Sequence, residues 1–493
     1  MRMQKFLVAS VLTLIVLSMT SYASPNEITI TGKIGTGVEG CKTLNGDDGK
    51  TYELMSNSPI PSDDTHVTVT GIIRTDMASF CMVGPIIQVT NIKADSPQIN
   101  PPQINPPNSP QINSPKLSPK ELLGGLIFFD ANLSEPKGQA CESCHGKDVG
   151  WTGPNEASNV LRGGVYHGAN TSRFGNRKPP TIAYSTFAPN FRLDNAMTGA
   201  FVGGEFWDGR ATGEIRGTAA LDQATGPFLN PLEMNNPNGD VVVDKVCTSN
   251  YVDLFKRVWG NNACKDKNKK KAFDDIASSI VAFEASKEVS PFSSKYDAYL
   301  DGKVKLTDKE MRGLNVFKGK AICNNCHIAD IGPNGEHPLL TNFIYGDPGT
   351  PRNPQNPFYN EPEFNPLGVA YIDPGLAGHI QNNPSWLKYQ RINYGKFRVP
   401  TLRNIDKRPN DAFIKRYMHN GFFNSLKDVV HFYNTRDTLP ICGFSGSVIG
   451  KNCWPLPEVA LNANPKVGNL GLTDNEEDDI VTFLKTLSDG FIS

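Results

Sequence analysis

The sequence predicts a mainly α-helical chain in which two domains of the same plan follow one another, preceded by a small all-β module on a proline-rich spacer. Three observations predict it. Cys141-Glu-Ser-Cys144-His145 and Cys323-Asn-Asn-Cys326-His327 are two copies of one C-x-x-C-H pentapeptide. The same helix-start signal stands upstream of each copy. Only the segment before them alternates in the manner of strands.

C-x-x-C-H is the unit that fixes a haem to a chain by two thioethers and one imidazole. Cysteines three apart on a helical turn face one way and reach both vinyl groups, while the next residue puts a ring nitrogen on the iron. Cys141, Cys144, Cys323 and Cys326 are therefore the attachment points of two covalent c-type haems, with His145 and His327 as proximal ligands. A redox dithiol or half a zinc site also uses C-x-x-C, but neither needs the following His, and the whole unit recurs.

In chain order, residues 1–23 carry Arg2 and Lys5, an apolar run from Phe6 to Val16, and small residues at Ser21 and Ala23. This reads as a cleaved secretory signal, too short and too polar at its end to span a bilayer. The protein is thus expected to be periplasmic or otherwise extracytoplasmic, with no membrane span. Residues 26–94 alternate, as in Ile28-Thr-Ile30-Thr and His66-Val-Thr-Val-Thr, between Gly-rich and Asp-Gly turns. They predict a small barrel like the OB-fold, lacking the basic and aromatic stripe of a nucleic-acid reader. From 95 to 118 the chain repeats Pro-Gln-Ile-Asn and reads as a semi-rigid spacer.

Ser118-Pro-Lys-Glu121 is a capping box that opens a helix carrying Leu122, Leu123, Leu126 and Ile127. Thr307-Asp-Lys-Glu310 repeats it before Met311, Leu314 and Phe317, and each helix runs into a C-x-x-C-H loop. Two tandem cytochrome c-like domains, 119–300 and 301–493, are the simplest account. A third box, Thr473-Asp-Asn-Glu476, opens a closing helix through Ile480, Val481, Phe483, Leu484 and Leu487. The Gly-, Pro- and Asn-rich stretches 146–240 and 332–385 are too long for idle connections and are expected to wrap the haem edges.

Ten cysteines less the four on haem leave Cys41, Cys81, Cys247, Cys264, Cys442 and Cys453. An even number in an exported chain predicts three disulfides, and loop closure favours the nearest-neighbour pairing in that order. A net charge of −1 with 20% charged residues gives no global field for nucleic acid or anionic membrane. The basic run Lys265 to Lys271 reads as a solvated helix start or as a docking patch for an acidic redox partner.

A haem that activates peroxide needs an open or openable axial position beside a proton-handling group. In that search Phe206-Trp207-Asp208-Gly209-Arg210, Gln223-Ala224, Gly226-Pro227 and Glu233-Met234-Asn235 stand in order. Phe397-Arg-Val-Pro400-Thr-Leu-Arg403-Asn404, Tyr417-Met-His419-Asn-Gly421 and Ser425-Leu-Lys-Asp-Val-Val430 follow. In these motifs the chain from about 118 to 490 resembles the bacterial dihaem cytochrome c peroxidases and MauG. The resemblance leaves the β-module uncovered.

The resemblance implies that Glu233 is the distal acid over the His145 haem, that Gln223 and Pro227 shape its pocket, and that Trp207 conducts between the haems. Arg210 and Arg403 would pair haem propionates, or form structural ion pairs. It places Tyr433 at the second axial position of the His327 haem, with Met418 as the other choice and a buried core tyrosine as the plain alternative. His167 would be the loop histidine that caps the first haem, or an exposed loop residue. The family's interdomain calcium would need an oxygen donor where Lys178 stands, and Ile414 and Arg416 also depart from its pattern, so Lys178 or Arg416 could replace its charge.

The implied function is an oxidoreductase that reduces hydrogen peroxide with electrons from a small cytochrome c or cupredoxin. The alternatives are a MauG-like oxidase acting on a Tyr or Trp of a partner protein, and a dihaem electron carrier without catalysis.

Overall fold

A computed structural model describes residues 27–36, 41–56, 60, 61, 63, 65–74, 84–94, 117–194 and 199–492. The leader 1–23, spacer residues 95–116 and Cys81, with its pairing to Cys41, lie outside the described residues. The chain divides into two compact units at Gln111 and Ile112.

In the first unit, β1 (Glu27–Thr36), β2 (Lys42–Gly46), β3 (Thr51–Met55), β4 (His66–Arg74) and β5 (Ile86–Ala94) close into a barrel in the order β1-β2-β3-β5-β4. Period-two alternation is the cause, because successive side chains point to opposite faces of a strand. Ile34, Leu44, Tyr52, Leu54, Val67, Val69 and Ile87 fill the inside, while Thr29, Thr31 and Lys33 face out. At Gly32 a Cβ would lie 2.3 Å from the Asn45 carbonyl oxygen, so β1 and β2 can approach only without a side chain there.

The second unit holds α1 (Pro119–Phe128), α2 (Glu156–Leu161), α3 (Ala219–Leu229), α4 (Gly239–Cys247), α5 (Val252–Trp259), α6 (Lys269–Glu284) and α7 (Lys295–Leu300). It continues with α8 (Asp308–Lys318), α9 (Leu376–Ile380), α10 (Leu426–Thr435) and α11 (Asp474–Lys485). The capping boxes at Ser118, Thr307 and Thr473 each form, the side chain accepting from the N3 amide while the N3 glutamate accepts from the cap amide.

Among the described residues each C-x-x-C-H has its own apolar core, and a smaller cluster of Phe191, Phe201, Tyr345, Leu376 and Ile380 stands apart from both. Leu123, Phe128, Phe228, Val242, Phe255, Ile276 and Ile280 belong to the first. Leu314, Phe317, Leu426, Phe432, Ile480 and Phe483 belong to the second. Cys247–Cys264 and Cys442–Cys453 bond as nearest neighbours. Within the basic run, Lys269 pairs with Asp244, and Lys271 pairs with Asp275 one turn on. No helix among the described residues is long and apolar enough to cross a membrane.

The two halves share one packing device. On α1 a Cβ at Gly124 would meet the Ser279 carbonyl oxygen of α6 at 1.9 Å, and on α8 a Cβ at Gly313 would meet the Asp479 carbonyl oxygen of α11 at 1.9 Å. Both helix pairs therefore cross backbone to backbone at a glycine. Alanine is preferred to glycine by roughly 1 kcal/mol inside a helix, but here it must push two helices apart, a strain of about 1–3 kcal/mol. Gly313→Ala is accordingly expected to lower the melting temperature in thermal denaturation. A raised value would mean that α8 and α11 part freely.

Candidate active site

Each C-x-x-C-H forms one turn of 3-10 helix, Cys141–Ser143 and Cys323–Asn325. The amides of His145 and His327 bond back to the Cys141 and Cys323 carbonyls. His145 Nδ1 faces the Trp151 carbonyl at 3.3 Å, and His327 Nδ1 faces that of Leu340 at 3.0 Å. Donation to those carbonyls fixes the tautomer and leaves Nε2 as the ring nitrogen available to a metal. Burial keeps both rings neutral, with each pKa lowered to about 4. None of the four cysteines is in a disulfide. Paired, unbridged cysteines beside a neutral, tethered imidazole are the attachment set of a covalent haem, and the residues fit that group twice.

A cavity of about 170 Å³ is lined by Cys141, Cys144, His145, His167, Arg210, Gln223, Pro227 and Glu233. A second, of about 430 Å³, is lined by Cys323, Cys326, His327, Arg403, Met418 and Tyr433. Trp207 lines both.

On the first wall, α3 carries Gln223 and an internal Pro227 and ends at Asn230. The Asn230 amide donates to Glu233 Oε1 at 2.8 Å, and the Glu233 amide donates to the Asn230 carbonyl at 3.0 Å, so the acid is pinned in the turn after the helix. Burial raises the Glu233 pKa against the pull of Arg210 and the Asn230 bond. Its charge is felt by both Cys141 and Cys144. His167 faces the same cavity, its Nδ1 against the Gly168 carbonyl at 2.8 Å and its ring edge-on to Phe174.

The Trp207 indole N–H donates to the Lys178 carbonyl at 2.8 Å, and the Lys178 amide donates to the His419 carbonyl at 2.8 Å. Around this wall lies a buried ionic network. Arg177 holds Asp373 through two bonds of 2.7 Å and Asp208 through a third. Burial opposes ionisation of Asp208, but Arg177 and Arg210 together hold its carboxyl well below the ordinary range. Glu205 and Arg398 pair at 2.7 Å.

Two expectations for arginine divide here. Arg210 lines the first cavity, paired with Asp208 and stacked on Phe206 at 3.7 Å. Arg403 lines the second, but its fork is occupied: Nη1 and Nη2 donate to Asp297 at 2.9 and 2.8 Å, and Nε donates to the Pro338 carbonyl at 2.8 Å. With 1% of its side chain exposed it forms a structural ion pair, the second of the two roles open to it.

Tyr433 is half-buried and lines the second cavity with Cys323, Cys326 and His327; burial raises its phenol pKa. Sequence reasoning missed Glu284, a buried acid on the first wall that burial pushes to about 8. An acid beside Phe283 on the apolar face of α6 was the signal. It also gave no role to His419, which stacks on Phe397 at 3.5 Å on the second wall.

The family profile described as di-haem cytochrome c peroxidase matches residues 118–305. The methylamine utilization protein MauG of Paracoccus denitrificans is 33% identical over 375 residues, 74% of this chain and 88% of that protein. Cytochrome c551 peroxidase of Pseudomonas aeruginosa is 32% identical over 309 residues, 62% of this chain and 69% of that protein. Among solved structures, the dihaem peroxidase BthA of Burkholderia thailandensis superposes with a TM-score of 0.62 at 29% identity, covering 76% of this chain and 87% of that one.

Denaturing mass spectrometry is expected to find the polypeptide carrying two haems, and a Cys323→Ala/Cys326→Ala variant carrying one. Two covalent haems on that variant would exclude the second attachment site.

Proposed function

Since the chain belongs to the dihaem cytochrome c peroxidase family that includes MauG, we propose that this oxidoreductase reduces hydrogen peroxide in the His145 cavity. Electrons would enter through the His327 cavity from a small cytochrome c or cupredoxin. The observation that carries the reading is the buried, pinned carboxyl of Glu233 on the wall of the first cavity, with Trp207 on the wall common to both.

Haem bound at these sites supplies the iron that receives peroxide and the redox equivalents that reduce it. The remaining chemistry is proton management. Glu233 takes a proton from the near peroxide oxygen and returns it to the departing one, for which a carboxyl with a raised pKa is suited. Gln223 and Pro227 hold the helical wall beside it, and His167 is the loop residue able to cover that face. Trp207, fixed by the Lys178 carbonyl, gives a rigid aromatic contact between the cavities in place of a saturated gap.

One observation favours a second reading. Tyr433 lines the cavity of Cys323, Cys326 and His327, which supports it as the second axial ligand of the His327 haem; Met418, on the same wall, is the other choice. A phenolate there suits a MauG-like oxidase acting on a Tyr or Trp of a partner protein. A carrier without catalysis would leave the buried acid of the first cavity without a task. The leader, the disulfides and covalent haem together support an extracytoplasmic setting.

Glu233→Gln is expected to lower kcat/KM for peroxide by roughly 10²- to 10⁴-fold, measured in the stopped flow. Because the ionised carboxyl accepts the first proton and burial raises its pKa above the ordinary 4.5, the wild-type rate should climb with pH across that raised value. The variant's profile should be flat there. Ferric protein whose spectrum ignores stoichiometric peroxide would reduce the function to electron carriage. Tyr433→Met is expected to raise the reduction potential of one haem only, followed by spectroelectrochemistry; an unchanged potential would remove Tyr433 from the iron.

A further inference from the structure

Three cations are buried where the two halves meet: Lys178, Lys415 and Arg416 are 7%, 4% and 7% exposed. Among the described residues none of them pairs with a carboxylate, and every partner is a neutral oxygen. Lys415 Nζ donates to the carbonyls of Val149, Asn404 and Lys407 at 2.9, 2.8 and 3.0 Å. Lys178 Nζ donates to Thr152 Oγ1 at 2.7 Å and to the Pro179 carbonyl at 3.0 Å. The Arg416 guanidinium reaches the Asn159 carbonyl at 2.5 Å and Gln355 Oε1 at 2.7 Å.

Neutral oxygens that converge from separate segments are what a hard divalent cation takes. Here the donor set does not fit calcium. The carbonyls are already bonded to ammonium groups, Lys178 stands where an oxygen donor would be needed, and no cluster of three or more His, Cys, Asp or Glu able to hold a metal occurs among the described residues. Burial depresses the pKa of Lys415 and takes that of Lys178 to about 7, yet the three carbonyl acceptors of Lys415 require three N–H donors, which only the ammonium form has. The fit is close, since a Cβ on Gly150, itself at φ +73°, would come within 2.8 Å of the Asn404 carbonyl oxygen and 3.4 Å of Lys415 Nζ.

We propose that the tethered side chains of Lys415 and Lys178 take the place of calcium in this seam, the Lys415 ammonium joining Val149 of the first half to Asn404 and Lys407 of the second without a metal. Val149 lies two residues from Trp151, whose carbonyl faces His145. The Lys178 main chain holds Trp207. The tethered side chains therefore also position the walls of both cavities.

The test uses purified holoprotein and no peroxide turnover, so it stands apart from the catalytic reading. Elemental analysis is expected to find only trace calcium, and the melting temperature and haem spectrum should be unchanged by EGTA and by added calcium chloride. About one calcium per chain, of the kind an all-oxygen site retains, or a melting temperature that falls in EGTA, overturns the proposal. Lys415→Met keeps the length and removes the charge, and should lower the melting temperature by several degrees; an unchanged value overturns the proposal. Should that variant not fold, Lys178→Asn is measured instead. A lower melting temperature supports the proposal and an unchanged one overturns it.

Discussion

The hydrogen bond from the Trp207 indole to the Lys178 carbonyl, 2.8 Å long, fixes the ring in the wall that the two cavities share. The bond is held from three directions. The Lys178 amide is bonded to His419, its side chain is bonded to Thr152 and Pro179, and the Trp207 carbonyl accepts from the Arg398 amide at 2.8 Å. Residues far apart in the chain are thereby made one rigid body around a single ring.

Buried ion pairs reinforce that wall. Arg177 between Asp208 and Asp373, Arg398 against Glu205, and Arg403 against Asp297 are all nearly sealed from water. Buried ion pairs add little net stability, because desolvation offsets the attraction, but losing one partner costs about 3–5 kcal/mol. Such pairs make one arrangement of the seam far better than its neighbours. Two cavities that must remain in fixed relation need that selectivity.

What could be read in the sequence was local. The C-x-x-C-H units, the capping boxes at Ser118, Thr307 and Thr473, the alternating barrel strands and two of the disulfides each depend on residues a few or a few tens apart. The motifs from Phe206 to Asn235 stood out because they come in a fixed order. What could not be read was set by partners met only on folding. Arg403 looked available to an anion, and only the fold brings Asp297 to it from 106 residues away. Arg398 and Glu205 are separated by 193 residues. Lys415 sits in an ordinary Ile-Lys-Arg run, and nothing in that run says that Val149 will come to meet it.

The glycine crossings of α1 on α6 and of α8 on α11 bear on the order in which the chain becomes complete. In each half the haem-attachment cysteines lie between the two helices that cross, Cys141 and Cys144 ahead of Ser279, Cys323 and Cys326 ahead of Asp479. The attachment segment therefore emerges in synthesis before the helix that seals its core exists. Each pentapeptide is thus already in the chain while the crossing that will enclose it has still to form.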